Sequence, residues 1–120
     1  MPAIGTGTVL SASTLKGDKV VNSQGEDLGK VEDFMLDLEN GRIRHAILSF
    51  GGFLGMGDKL FAIPPETMRV DTKNKCLVLD LDRGRLENAP GFDKNNWPST
   101  HEDDWQVEAY EFYGSTPYWR

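Results

Sequence analysis

The sequence holds a single cysteine, Cys76, among its 120 residues. One thiol cannot close an internal disulfide, which excludes a stapled secreted scaffold and favours a reducing compartment. Cys76 opens the apolar run CLVLDLD, where a buried, inert thiol is the expectation. Histidine is almost as scarce. His45 and His101 stand far apart, and neither has zinc-ligand spacing to Cys76. Positive charge is also short: 13 Lys and Arg face 19 Asp and Glu, a net charge of −6. That balance repels nucleic-acid phosphates and anionic lipid headgroups, and it suits a basic protein partner. No apolar run is long enough to span a bilayer, and no basic residue precedes Lys16. Neither an integral membrane segment nor a secretory leader is expected, and the expected location is the cytoplasm.

Catalytic patterns are missing as well. The serines at 11, 13, 23, 49 and 99 have no elbow or triad context. DLDRG, from Asp80, starts like a calcium loop, but Arg85 falls where that loop needs glycine and Gly91 where it needs the closing glutamate. The glycine-rich stretch SFGGFLGMGDKLFAIP is the one segment that raises phosphate binding. Gly52 and Gly57 have P-loop separation, yet Asp58 stands where the lysine must be, Leu60 replaces the hydroxyl residue and a strand follows instead of a helix. Gly52, Gly55 and Gly57 also give the reverse order of a dinucleotide fingerprint. The loop is therefore no nucleotide cradle, and no cofactor, metal or catalytic residue is expected. Its Phe53, Leu54 and Met56 remain open between two uses: plugging one end of the fold, or forming an exposed apolar knuckle for docking.

What is present is β punctuation. DKVVNS reads as a short strand and QGED as a turn with Gly25. LGKVEDFMLDL reads as a longer strand whose alternation breaks near Asp33 and Phe34, predicting a bulge or sharp bend. Asn40-Gly41 predicts a type I′ hairpin into IRHAILSF, with Ala46, Leu48 and Phe50 on one face. Asp33, Asp37 and Glu39 beside Arg42 and Arg44 predict cross-strand ion pairs. KLFAIP is a strand stopped by Pro64-Pro65, and TMRVD and CLVLDLD form a second hairpin across TKNK. The fold class is mainly all-β: a small, strongly bent antiparallel barrel of about six strands, which leaves few exposed edges. Residues 1–13 are expected as a flexible arm, 14–92 as the barrel, and 93–120 as linker, short helix and aromatic tail. Ser99 or Thr100 is expected to cap that helix, Trp105, Ala109 and Phe112 to share its apolar face, and Gly114 to end it.

The stretch GDKVVNSQGEDLGKVEDFMLDLENGRIRHAILSFGGFLGMGDKLFAIPPE, followed by LENAPGFD, closely resembles the PRC-barrel family, over roughly Thr14 to Asp93. That family takes in the cytoplasmic domain of the photosynthetic reaction-centre H subunit and the C-terminal domain of a ribosome maturation factor. The resemblance implies a small barrel used for docking or assembly, with no catalysis. The resulting expectation is a self-associating interaction module, a homodimer or a complex with another protein, contacting through Phe53, Leu54, Met56, Trp105, Phe112, Tyr118 and Trp119. The aromatic tail is left open between clasping its own barrel and crossing to a neighbour. The alternative is a ligand-binding or regulatory subunit of a membrane electron-transfer complex, acting through Asp33, Asp37, Glu102, Asp103 and Asp104.

Overall fold

The computed structural model describes residues 9–50 and 59–120. Its order is α1 (Ala12–Leu15), β1 (Lys19–Val21), β2 (Asp27–Asp37), β3 (Arg42–Phe50), β4 (Lys59–Ile63), a 3-10 turn (Pro65–Thr67), β5 (Met68–Asp71), β6 (Cys76–Leu79), α2 (Arg83–Glu87), β7 (Phe92–Asp93) and α3 (Asp104–Phe112). The strands make one seven-stranded sheet in the order β5-β6-β1-β2-β3-β4-β7. The mainly β class and the short C-terminal helix are as the sequence predicts. The ladder is not uniformly antiparallel, because β1 runs parallel to β6. Nor does it close: β5 and β7 end the ladder unpaired with each other among the described residues.

The sheet nevertheless rolls around one core. Val20 of β1, Leu28, Val31 and Phe34 of β2, Ala46, Leu48 and Phe50 of β3, Phe61 and Ile63 of β4, Met68 of β5 and Leu77 and Leu79 of β6 pack together. Leu15 of α1 and Leu86 of α2 close that cluster. Ser11, whose hydroxyl accepts from the Thr14 N–H, caps α1 and so fixes Leu15 over the core. Residues 12 and 13 of the expected arm are thus helical. Cys76 is half-buried, not enclosed.

The roll comes from bulges. Between Val31↔Leu48 and Asp33↔Ile47 the residue Glu32 has no partner, one residue before the predicted break. Between Met35↔His45 and Leu36↔Ile43 it is Arg44 that is skipped. These resets turn the burial of β2 into a three-residue repeat, Leu28, Val31, Phe34 and Asp37, where an undisturbed strand would repeat every two.

The second hairpin turns across TKNK as expected, whereas the first departs from the type I′ turn that Asn-Gly predicts. The β2–β3 connection is a four-residue loop, 38–41, and only Gly41 has positive φ (+65°). Asn40 instead binds back to Asp37, through its backbone N–H (3.0 Å) and its side-chain amide (2.9 Å). The β5–β6 turn repeats this chemistry with Asp71, Asn74 and Lys75, the lysine taking the left-handed position at φ +53°. The carboxylate and amide satisfy the loop's polar groups, which favours a longer turn over type I′.

A second layer lies outside the roll. Ile47, Leu60 and Ala62, on the outer face of β3 and β4, bury against Ala109 of α3, flanked by Met35, Phe92 and Trp105. That cover explains why β3 is buried at every position from His45 to Phe50. Helix α3 starts later than predicted, at Asp104, and Ser99 instead accepts from the His101 N–H. Its buried face is Gln106, Ala109 and Tyr110, while Trp105 and Phe112 are only half-buried. Gly114, at φ +77°, ends the helix as predicted.

Candidate interaction surface

The skipped residue in β3 creates the most elaborate polar site among the described residues. With Arg44 unpaired, alternation resets, and both Arg44 and His45 reach Gln106 of α3. The Gln106 side-chain oxygen accepts from the Arg44 guanidinium at 3.1 Å and from His45 Nε2–H at 3.2 Å. The Gln106 amide nitrogen donates to the carbonyls of Glu102 (2.9 Å) and Thr100 (3.3 Å), so one buried glutamine ties strand, helix and linker together. His45 is enclosed by aromatic rings. Trp105 stacks on it at 5.3 Å, and Tyr110 and Trp119 meet it edge-on at 5.5 and 6.4 Å. Burial lowers its pKa to about 4, and the Arg44 charge adds to the effect. His45 Nδ1 and Arg44 Nε are buried with no hydrogen-bond partner.

The aromatic tail folds back over this site in the same chain. The Tyr118 hydroxyl donates to Asp37 at 2.5 Å, and Arg44 donates to the same carboxylate oxygen at 2.8 Å. Trp119 Nε1–H donates to Asp103 at 2.6 Å, and Arg120 pairs with that carboxylate too. The guanidinium of Arg42 sits 3.7 Å from the Tyr118 ring centroid, and that of Arg44 4.2 Å from Trp119. Each such contact is worth about 0.5–2 kcal/mol, according to how dry it is. Tyr118, Arg44 and Asn40 together hold the Asp37 carboxyl far below the usual carboxylate range, and Trp119 and Arg120 lower Asp103.

The residues singled out in the sequence divide accordingly. Trp105 and Trp119 converge on His45, and Tyr118 packs against Trp119 at 5.1 Å. Phe112 lies elsewhere, with Arg85 over its ring at 4.7 Å and Tyr113 edge-on at 5.0 Å. Phe53, Leu54 and Met56 fall outside the described residues. Of the predicted cross-strand ion pairs, Asp37–Arg44 forms, whereas Asp33 caps the N–H of Phe34. The five carboxylates of the electron-transfer reading form no common group: Asp37 and Asp103 serve the tail and Asp33 the backbone. Among the described residues, no cluster of three or more His, Cys, Asp or Glu is placed to hold a metal.

Two residues went unnoticed in the sequence. Leu36 is 64% exposed and Leu38 87% exposed, at the end of the β2–β3 hairpin. They border a groove of about 330 Å³ lined further by Met35, His45, Trp105 and His101. The signal was their alternation in MLDL before the turn, which reads equally well as core.

The sequence profile of the PRC-barrel domain matches residues 7–86. The chain belongs to the PRC-barrel family. Comparison with curated proteins gave no match. Among solved structures, this PRC-barrel chain is similar to the 16S ribosomal RNA processing protein RimM of Pseudomonas aeruginosa. The two share 15% identity at a TM-score of 0.42, over 68% of this chain and 50% of the other. The PRC-barrel chain thus spans about half of that protein. Among its described residues, no helix is long and apolar enough to cross a membrane.

Proposed function

We propose that this PRC-barrel chain is a non-enzymatic protein-interaction module that assembles with a second copy of itself through the end of the β2–β3 hairpin. The observation that carries the reading is the neighbouring pair Leu36 and Leu38, large apolar side chains held in solvent beside a groove floored by Trp105 and His45. Such patches on a folded surface mark contact sites. The tail aromatics support the hairpin from within the chain, so Tyr118 and Trp119 act as its buttress. Phe53, Leu54 and Met56 enter the proposal as a second contact.

Light scattering on size-exclusion eluates, across a hundredfold range of concentration, tests the assembly. The wild type should shift from monomer mass toward dimer mass, and Leu36→Glu with Leu38→Glu should remain monomeric with unchanged circular dichroism. A variant carrying Phe53→Ser, Leu54→Ser and Met56→Ser reports on the second contact. A wild type that stays monomeric throughout defeats self-association. A dimer untouched by the hairpin changes moves the surface elsewhere.

A further inference from the structure

At the opposite end of β2 the chain breaks its own charge pattern. Lys19 of β1 and Lys30 of β2 are direct cross-strand partners, an arrangement that is destabilising for like charges. The row across the sheet continues to Cys76 on one side and Ser49 on the other, so no carboxylate stands in register with either lysine. Among the described residues neither lysine has an ion pair, in a chain where acids outnumber bases by 19 to 13. Both line an open groove of about 450 Å³, together with Arg83 at the start of α2. The size is that of a small-molecule site. Gly17 and Gly29 put bare backbone into the groove. A Cβ on Gly29 would lie 2.1 Å from the Ser49 carbonyl oxygen, so no side chain can occupy that position.

The acids nearby are already committed or weakly placed. Asp27, the one carboxylate among the described residues that line the groove, accepts the Gly29 N–H at 2.9 Å. Glu87 approaches Arg83 only at 3.8 Å, with both side chains exposed, a contact worth little. Among the described residues that line the groove, three cations face one carboxylate, an excess of positive charge inside a chain of −6.

We infer that this groove binds a small dianionic oxyanion, of the phosphate or dicarboxylate class, between Lys19, Lys30 and Arg83. A local arrangement that works against stability, with no compensating partner, is the signature of a site kept for a ligand. The inference is independent of the assembly reading. Lys30 lies six residues from Leu36 along the strand, about 20 Å away.

The test is amide NMR titration at constant ionic strength, with inorganic phosphate in one arm, succinate in a second and chloride as reference. Saturable shifts at Gly29 and Lys30 are expected, half-complete at millimolar ligand, and Lys30→Gln should weaken binding by about tenfold, the usual effect of losing one charge-assisted contact. Saturation by either dianion supports the site, and the arm that saturates names the chemistry. Lys30→Glu, which places opposite charges across the ladder, should raise Tm while abolishing the saturable shifts. Shifts no larger than chloride gives, or saturation indifferent to both Lys30→Gln and Arg83→Gln, overturn the inference.

Discussion

His45 shows how much of this protein is decided one atom at a time. Its ring is 1% exposed, and it donates from Nε2 to an oxygen that Arg44 also needs, which fixes the neutral tautomer. Protonation would place a second cation against Arg44 in a dry site. The unfolded chain takes up a proton near the ordinary value of 6.5, whereas the folded protein resists until about pH 4. Stability is therefore complete above pH 6.5 and falls between 6.5 and 4, by on the order of 3 kcal/mol. Asp37 acts lower on the scale: its depressed carboxyl stabilises the fold above the ordinary carboxylate value and loses that contribution as pH drops further. Guanidinium unfolding at a series of pH values should show both limbs. His45→Gln should flatten the upper limb and leave the lower one. An unchanged upper limb would place the proton uptake elsewhere. The sequence showed His45 in mid-strand, but its burial depends on a helix 60 residues away and on a skipped neighbour, which periodicity cannot reveal.

At the scale of elements, both hairpins were legible in position, and the first was misread in type. Asn-Gly is a strong turn signal, yet Asp37 two residues before Glu39 captures the Asn40 amide and lengthens the loop. The second hairpin repeats the logic with a lysine where the first has glycine. The pair makes a matched prediction. Gly41→Ala should cost about 1 kcal/mol, because a Cβ at positive φ meets its own carbonyl, and Lys75→Gly should recover up to about 1 kcal/mol. Thermal unfolding of the two single variants checks this. Equal and negligible effects would mean that the loops relax away from the left-handed geometry. The long strand was legible too, down to its break, since Asp33-Phe34 disturbs a simple alternation. The second reset, at Arg44, left no mark in composition, because Arg42, Arg44 and His45 are polar on either side of the skip.

At the scale of the molecule, two layers of unequal independence emerge. The inner roll draws its core almost wholly from residues before Pro90, and only Phe112 and Tyr113 lean on it from the C-terminal segment. The apolar cluster of the outer layer is small, Ile47, Leu60, Ala62 and Ala109, with Gln106 and Tyr110 of α3 buried beside it. The order of the strands, with β1 parallel to β6, could not be read from local patterns, because pairing Lys19 with Cys76, far along the chain, is set by the whole roll. The aromatic excess was readable, and its destination was not: seven rings in a short tail fit either a neighbour or the barrel itself. Ending the chain after Asp93 separates the layers. The inner roll should remain folded at reduced Tm, while Ile47, Leu60 and Ala62 become exposed, so the truncated chain should bind a hydrophobic dye and self-associate. With Trp105, Tyr110 and Trp119 gone, His45 should meet water, and its NMR titration should move from about 4 back toward 6.5. Loss of all native shift dispersion would instead make the two layers one cooperative unit, with the tail as essential to the roll as any of its strands.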